Sequence, residues 1–186
     1  MSAVWRELLP TSLEMGGTEY RIRSDYRAAL DICTALSDPE LDGQDRAAVL
    51  LDILYPDVRE MPPEHREEAV ERGLWFIGGG AEESPNQGPR LVDWKQDLPY
   101  IVAPVNRVTG QEVRAAEYMH WWTFLAAYYE IGDCTFAQIV RIRDRLARGK
   151  PLDKADREWY RRNRQLVDFK RKYTEQDNAV LDPWIR

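Results

Sequence analysis

Cysteine and histidine are scarce in this chain, with two of each in 186 residues. Cys33 and Cys134 are too few for a disulfide framework and too far apart for a zinc motif, so both read as reduced core residues. His65 and His120 cannot supply the several closely spaced ligands of a zinc site, and no metal or other cofactor is expected. The strained Gly-x-Ser-x-Gly turn that would present a hydrolase nucleophile is missing, and no catalytic residue is assigned. No apolar run approaches the roughly 20 residues of a membrane span, so no membrane contact is expected. The start, Met-Ser-Ala-Val-Trp-Arg-Glu, lacks the basic and apolar regions of a signal peptide, and the protein is expected to stay where it is made.

What remains is an ordinary globular composition. Hydrophobic residues at 44% and charged residues at 31% suit one core, so residues 1–186 read as a single domain. The net charge of −6 is unevenly spread: Arg141 to Lys172 holds 13 Lys and Arg against 5 Asp and Glu, a local +8 that leaves −14 on the rest. Such a molecule can draw an acidic partner to its last third, or stack head to tail with copies of itself.

The segment Tyr118-Met119-His120-Trp121-Trp122-Thr123-Phe124-Leu125-Ala126-Ala127-Tyr128-Tyr129 reads as one helix with a polar sector holding only His120, Thr123 and Glu130. A helix of that kind has to be covered by its neighbours, so it is expected at the centre. Ahead of it, residues 12–23 alternate apolar and polar around Gly16-Gly17, a hairpin signal, with Leu13, Met15, Tyr20 and Ile22 facing the helices. Ser24 is the expected cap of a first helix running to Ser37-Asp38-Pro39, and Asp42 that of a second stopped by Pro56. A third is expected to open at Pro62-Pro63.

Residues 78–90 are rich in Gly, Pro and Ser and read as a flexible loop. Gly78-Gly79-Gly80 lacks the following Gly-Lys-Ser/Thr of a phosphate cradle. A helical segment then begins at Asp93, with Pro99 and Pro104 expected to kink or shorten it and a turn at Val108-Thr109-Gly110. Thr135 and Gln138 make a capping box for a helix ending at Gly149, and Asp153 caps a last helix reaching Tyr173. A tail spans 174–186. The fold class is mainly α: an irregular helical domain of about six or seven helices around a buried central one, with an N-terminal β-hairpin.

Three constellations could carry chemistry. His120, beside Trp121, Trp122 and Phe124, reads as a hydrogen-bonded core residue rather than a catalyst. Asp93 and Asp97 could present two carboxylates for metal or acid-base work. The competing reading begins with Arg143, which falls inside the stripe of Phe136, Ile139, Val140 and Leu146, whereas Arg141, Arg145 and Arg148 point outward. A guanidinium on an apolar face demands a carboxylate, and Asp97, or Asp93 in its place, is expected to provide it. Last, Arg157, Arg161, Arg164 and Lys172 follow one edge at spacings of four, three and eight, with Trp159 and Tyr160 nearby. Basic and aromatic residues together can bind nucleic acid, but Asp168 in the same stripe and the net negative charge favour a solvated face or an acidic protein partner.

The ordered set of Gly17 to Arg27, Asp97 to Ala103, Met119-His120-Trp121-Trp122-Thr123-Phe124 and Ile139-Val140-Arg141-Ile142-Arg143 resembles a family of tailed-phage and prophage proteins, the bacteriophage gene product fifteen family. The resemblance spans roughly residues 12–150. Ser24 and Tyr26 stand where the family usually has threonine and phenylalanine, and Met119 replaces a leucine. Pro99 and Pro104 fall in a segment that the family normally keeps helical. Members are generally encoded between the major tail protein and the tape-measure protein. The resemblance therefore implies a non-enzymatic tail assembly chaperone in the host cytoplasm, coating the apolar-rich tape-measure helix until tail-tube subunits displace it. Its expected partners are the tape-measure protein and other phage tail proteins. A structural tail component retained in the virion is the alternative, followed by a nucleic-acid-binding or metal-dependent enzyme module.

Overall fold

Two adjacent glycines set the first element. In the computed structural model, which describes residues 9–81 and 88–170, β1 (Ser12–Met15) pairs antiparallel with β2 (Thr18–Arg21), placing Leu13 opposite Tyr20 and Met15 opposite Thr18. Gly16 and Gly17 take φ of 56° and 76°, the left-handed pair that a two-residue hairpin turn needs. Leu13 and Met15 are buried, so one face of the ribbon is part of the core.

Eight α-helices follow among the described residues: α1 (Tyr26–Leu36), α2 (Gly43–Leu54), α3 (Arg66–Ile77), α4 (Trp94–Thr109), α5 (Trp121–Tyr129), α6 (Thr135–Ala147), α7 (Lys154–Arg162) and α8 (Arg164–Val167). Several boundaries differ from the sequence expectation. Asp25, not Ser24, caps α1 by accepting from Arg27 N, which leaves the Ser24 hydroxyl bonded to the Tyr118 hydroxyl. Pro62 and Pro63 lead into a 3-10 turn, and α3 proper starts at Arg66. Helix α4 runs unshortened through Pro99 and Pro104 and ends only at Gly110, with φ of 70°. Each proline forfeits one helical hydrogen bond, but Ile101, Val102, Pro104 and Val105 are buried, and that packing holds the helix.

At α6 the capping box does not form. Cys134 is the cap, its Sγ accepting from Ala137 N at 3.4 Å, while Thr135 is the first helical residue. Cys134 is therefore a free, half-buried cap packed against the edge of the core rather than enclosed in it. Gly149, at φ of 66°, closes α6 with Lys150 N donating to Arg145 O. The last expected helix breaks at Asn163 into α7 and α8, and Phe169 lies beyond both. Tyr173, Lys172, residues 82–87 of the expected loop and the tail 174–186 are outside the described residues.

The central helix is shorter than expected and is not wholly covered. It starts at Trp121, because Tyr118, Met119 and His120 are hydrogen-bonded to the start of α1, with an isolated antiparallel bridge between His120 and Asp25. Tyr26 N donates to Met119 O at 2.9 Å, Trp121 N to Ser24 O at 2.8 Å, and Met119 N to Asp25 Oδ2 at 3.1 Å. His120 becomes the cap: Nδ1 accepts from Trp122 N at 3.0 Å, and Nε2 lies 2.9 Å from Pro10 O. For both bonds to form, the ring is neutral with its proton on Nε2.

The two tryptophans that follow close a different helix. Trp121 Nε1 donates to Ile77 O and Trp122 Nε1 to Phe76 O, both at 2.8 Å, satisfying the last carbonyls of α3. Their approach depends on the glycines after α3. A Cβ at Gly80, whose φ is 79°, would lie 2.7 Å from Trp122 Cη2, and one at Gly79 would lie 2.8 Å from Leu125 Cδ2. Gly78 to Gly80 are thus a tight turn fitted against α5, not a free linker. Behind it, Phe124 stacks on Tyr26 with ring centres 4.7 Å apart, and Trp121 packs on Trp94.

The core has two apolar clusters. The larger gathers the hairpin, α1 to α5 and Phe136. The smaller joins Ile139, Ile142, Leu152 and Val167, with Tyr100 packed against both. Cys33 is fully enclosed in the larger, and burial pushes its thiol from an ordinary 9.0 up to about 12. Below pH 9 the thiol is neutral whether the chain is folded or not. Between 9 and 12 only the unfolded chain releases the proton, so stability is lost as pH rises through that window. Urea midpoints should fall over this range, with a shallower initial fall in Cys33→Ala. Gly80→Ala should destabilise by about 1–3 kcal/mol through its φ and the Trp122 contact. Gly43→Ala, with open space at the start of α2, should leave the melting temperature unchanged or raise it slightly.

Candidate functional site

Of the polar residues picked out in the sequence, Asp93 and Asp97 meet around Arg143, and His120 and the α7–α8 arginines do not. Phe136, Ile139 and Ile142 of α6 are buried, and Arg143 lies among them only 4% exposed, whereas Leu146 at 41% is outside the stripe. The structure brings Asp97 to it. Nη1 donates to Asp97 Oδ2 at 2.6 Å and Nη2 to Oδ1 at 3.0 Å, a two-pronged fork between groups almost completely removed from water.

The remaining donors reach backbone carbonyls. Nε bonds Val167 O at 2.7 Å, Nη1 bonds Leu91 O at 2.9 Å, and Nη2 bonds Leu166 O at 3.0 Å. All five guanidinium N–H groups are used. The Phe169 ring covers the guanidinium face, its centre 4.2 Å from Cζ. Asp97 Oδ2 also accepts from Asp93 N, while the Asp93 side chain caps α4 by accepting from Gln96 N. The two aspartates are therefore engaged with a helix start and an arginine rather than turned together toward a shared ligand. Among the described residues no group of three or more His, Cys, Asp or Glu is placed to hold a metal.

Sequence reasoning missed two neighbours of this cluster. Gln96 Nε2 donates to Asp168 O at 3.0 Å and Oε1 accepts from Lys170 N at 3.0 Å, fastening the chain after α8 to α4. Its only sequence signal was its place three residues after a capping Asp. Asp156, buried on α7, takes a 2.8 Å bond from Arg141 and so ties α7 to α6.

Two exposed surfaces stand out among the described residues. One is an arginine-lined groove of about 580 Å³ formed by Arg157, Glu158, Tyr160, Arg161 and Arg164. Arg157 donates to Leu152 O, Arg164 pairs with Asp168 at 2.7 Å, and the Tyr160 hydroxyl donates to the other oxygen of Asp168. That bond to a carboxylate, followed by burial, raises the Tyr160 pKa. Trp159 packs into the smaller cluster, away from the stacking role considered for it.

The other surface is the outward side of α5. Trp122 is half-buried, Ala126 is exposed, and Tyr129 is 61% exposed, at i, i+4 and i+7 of the most apolar helix. Tyr118, just before it, is 55% exposed.

Fold and site together define a mainly helical protein whose buried polar groups hold its segments to one another. The family model described as Bacteriophage Gp15 protein matches residues 5–169, and the chain belongs to that family. The match takes in the hairpin and every helix, including the arginine groove, and so exceeds the span legible from motifs. No curated protein matches the chain, and no solved structure does.

Replacing Arg143 with Ala strands a buried carboxylate and three carbonyls, which should cost at least about 3–5 kcal/mol and leave little or no folded protein. Arg143→Lys should also destabilise, by roughly 2 kcal/mol or more, because three ammonium donors cannot replace the five-donor fork. A lysine variant with an unchanged denaturation midpoint would contradict this account of the cluster.

Proposed function

We propose that this protein is a tail assembly chaperone, a non-enzymatic module that binds the tape-measure protein in the host cytoplasm and releases it to tail-tube subunits. Membership in the Gp15 family supports the tail context. The structural observation that carries the binding role is the outward stripe of Trp122, Ala126 and Tyr129 on α5. A client helix presents apolar side chains at i, i+3, i+4 and i+7, and a receiving face needs apolar groups at matching intervals. A helix this apolar would ordinarily be covered all round. Leaving one side open costs solubility and is explicable if a partner covers it. Meanwhile Asp93, Asp97, His120 and Arg143 are engaged in holding helices, which favours binding over catalysis as the task of the surface.

Coexpression with a phage tape-measure protein from the same genome tests the reading. The wild type should keep that client soluble and copurify with it, and Ala126→Arg combined with Tyr129→Glu should abolish both effects while the chaperone itself stays folded by circular dichroism. Failure of the wild-type chain to solubilise or retain the client would remove the chaperone role. Abundant recovery of this chain from purified virions would favour a structural tail component.

A further inference from the structure

The charge asymmetry is organised in space and in spacing. Arg157 and Arg161 on α7, with Arg164 at the start of α8, stand at intervals of four and three around the groove. Arg161 is exposed and makes no hydrogen bond or ion pair among the described residues. A second exposed stripe has the opposite sign: Glu64 in the turn before α3, then Glu67 and Glu71 on it, at intervals of three and four. None of these three has an ionic partner among the described residues either. They belong to a wider acidic region, residues 38–72, with 11 Asp and Glu against 4 Arg.

The two stripes are separate surfaces. Helix α3 packs on α2 and β1, whereas α7 packs on α8 and α8 on α6. Arg164 follows the break at Asn163 and Glu64 precedes α3, so the match is one of intervals along the chain, three charges of each sign over a separation of seven residues. Within one copy they do not meet.

We propose that the arginine groove receives the α3 glutamate ridge of a second copy of this chain. Groove and ridge are different patches, so the contact is head to tail, and every row, whatever its length, keeps one free groove at one end and one free ridge at the other. The acidic ridge of another copy has the matching sign and spacing and is present at the same concentration.

Sedimentation velocity on the full chain, over a range of concentrations, tests this without any tail protein present, so its outcome is separate from that of the chaperone reading. At about 0.1 M salt the weight-average mass should rise with concentration to at least about twice that of the monomer, and at about 1 M salt, where screening acts within roughly 3 Å, it should return to the monomer. Arg157→Glu/Arg161→Glu, or the milder Arg161→Glu, should be monomeric with unchanged circular dichroism, as should Glu64→Arg/Glu71→Arg. Mixed in equal amounts, the two double variants should associate again, because each reversed patch meets a complementary one. A wild type that stays monomeric at low salt, association that survives high salt, or a mixture that does not recover would each overturn the proposal. So would salt-sensitive DNA binding that Arg161→Glu abolishes in a chain that does not self-associate.

Discussion

The fold depends on one guanidinium. Arg143 is set by α6 into an apolar environment where an unmet donor is costly, and the chain brings it five acceptors from three separate stretches: the segment before α4, α4 itself, and α8. A hydrophobic contact could slide by an ångström with little change in energy. Five directional bonds to a rigid planar group cannot, and they fix both the distance and the rotation between α4, α6 and α8. Asp97 is constrained in turn, since its Oδ2 also accepts from Asp93 N at the start of α4. The cluster thus sets where the arginine groove stands relative to the rest of the molecule.

A second polar device works at the other side of the core. His120, Trp121 and Trp122 look like a hydrophobic triplet, but each places a ring nitrogen on a helix terminus. His120 caps the start of α5, and the two indoles cap the end of α3. The glycines after α3 are the counterpart of this arrangement, because only a residue without Cβ leaves room for Trp122 at Gly80. Helix ends that would otherwise need water are closed inside the protein by the same side chains that fill it.

Much of this is legible in the sequence. The hairpin follows from two glycines between alternating segments, and the helical class from apolar periodicity. An arginine within an apolar stripe pointed to a buried carboxylate, and the structure puts Asp97 there. What could not be read was long-range and made by backbone. The carbonyls of Leu91, Leu166 and Val167 carry no mark of residue type, so the rest of the Arg143 shell was invisible. The early start assigned to the central helix failed for the same reason: Tyr118 and Met119 are extended because they pair with the entrance of α1, more than 90 residues away. Neighbouring candidates defeated the cap assignments. Ser24 precedes Asp25 and Cys134 precedes Thr135, and composition alone does not decide which of two adjacent cappers turns inward. The open side of α5 was hidden by treating every apolar residue as buried, although Tyr129 lies largely in water.

The division of the interior into two apolar clusters has a mechanical consequence. Helices α7 and α8 share little oil with the hairpin and α1 to α3; they are joined to the larger body across Tyr100 and through polar fasteners at Gln96, Arg141 and Arg143. Hydrogen bonds of that kind are short-ranged, so a small separation at the seam breaks them together rather than one by one. The orientation of the carboxyl-terminal helices is therefore set by the direction of those bonds as much as by the apolar contact of Val167 and Leu152 with α6.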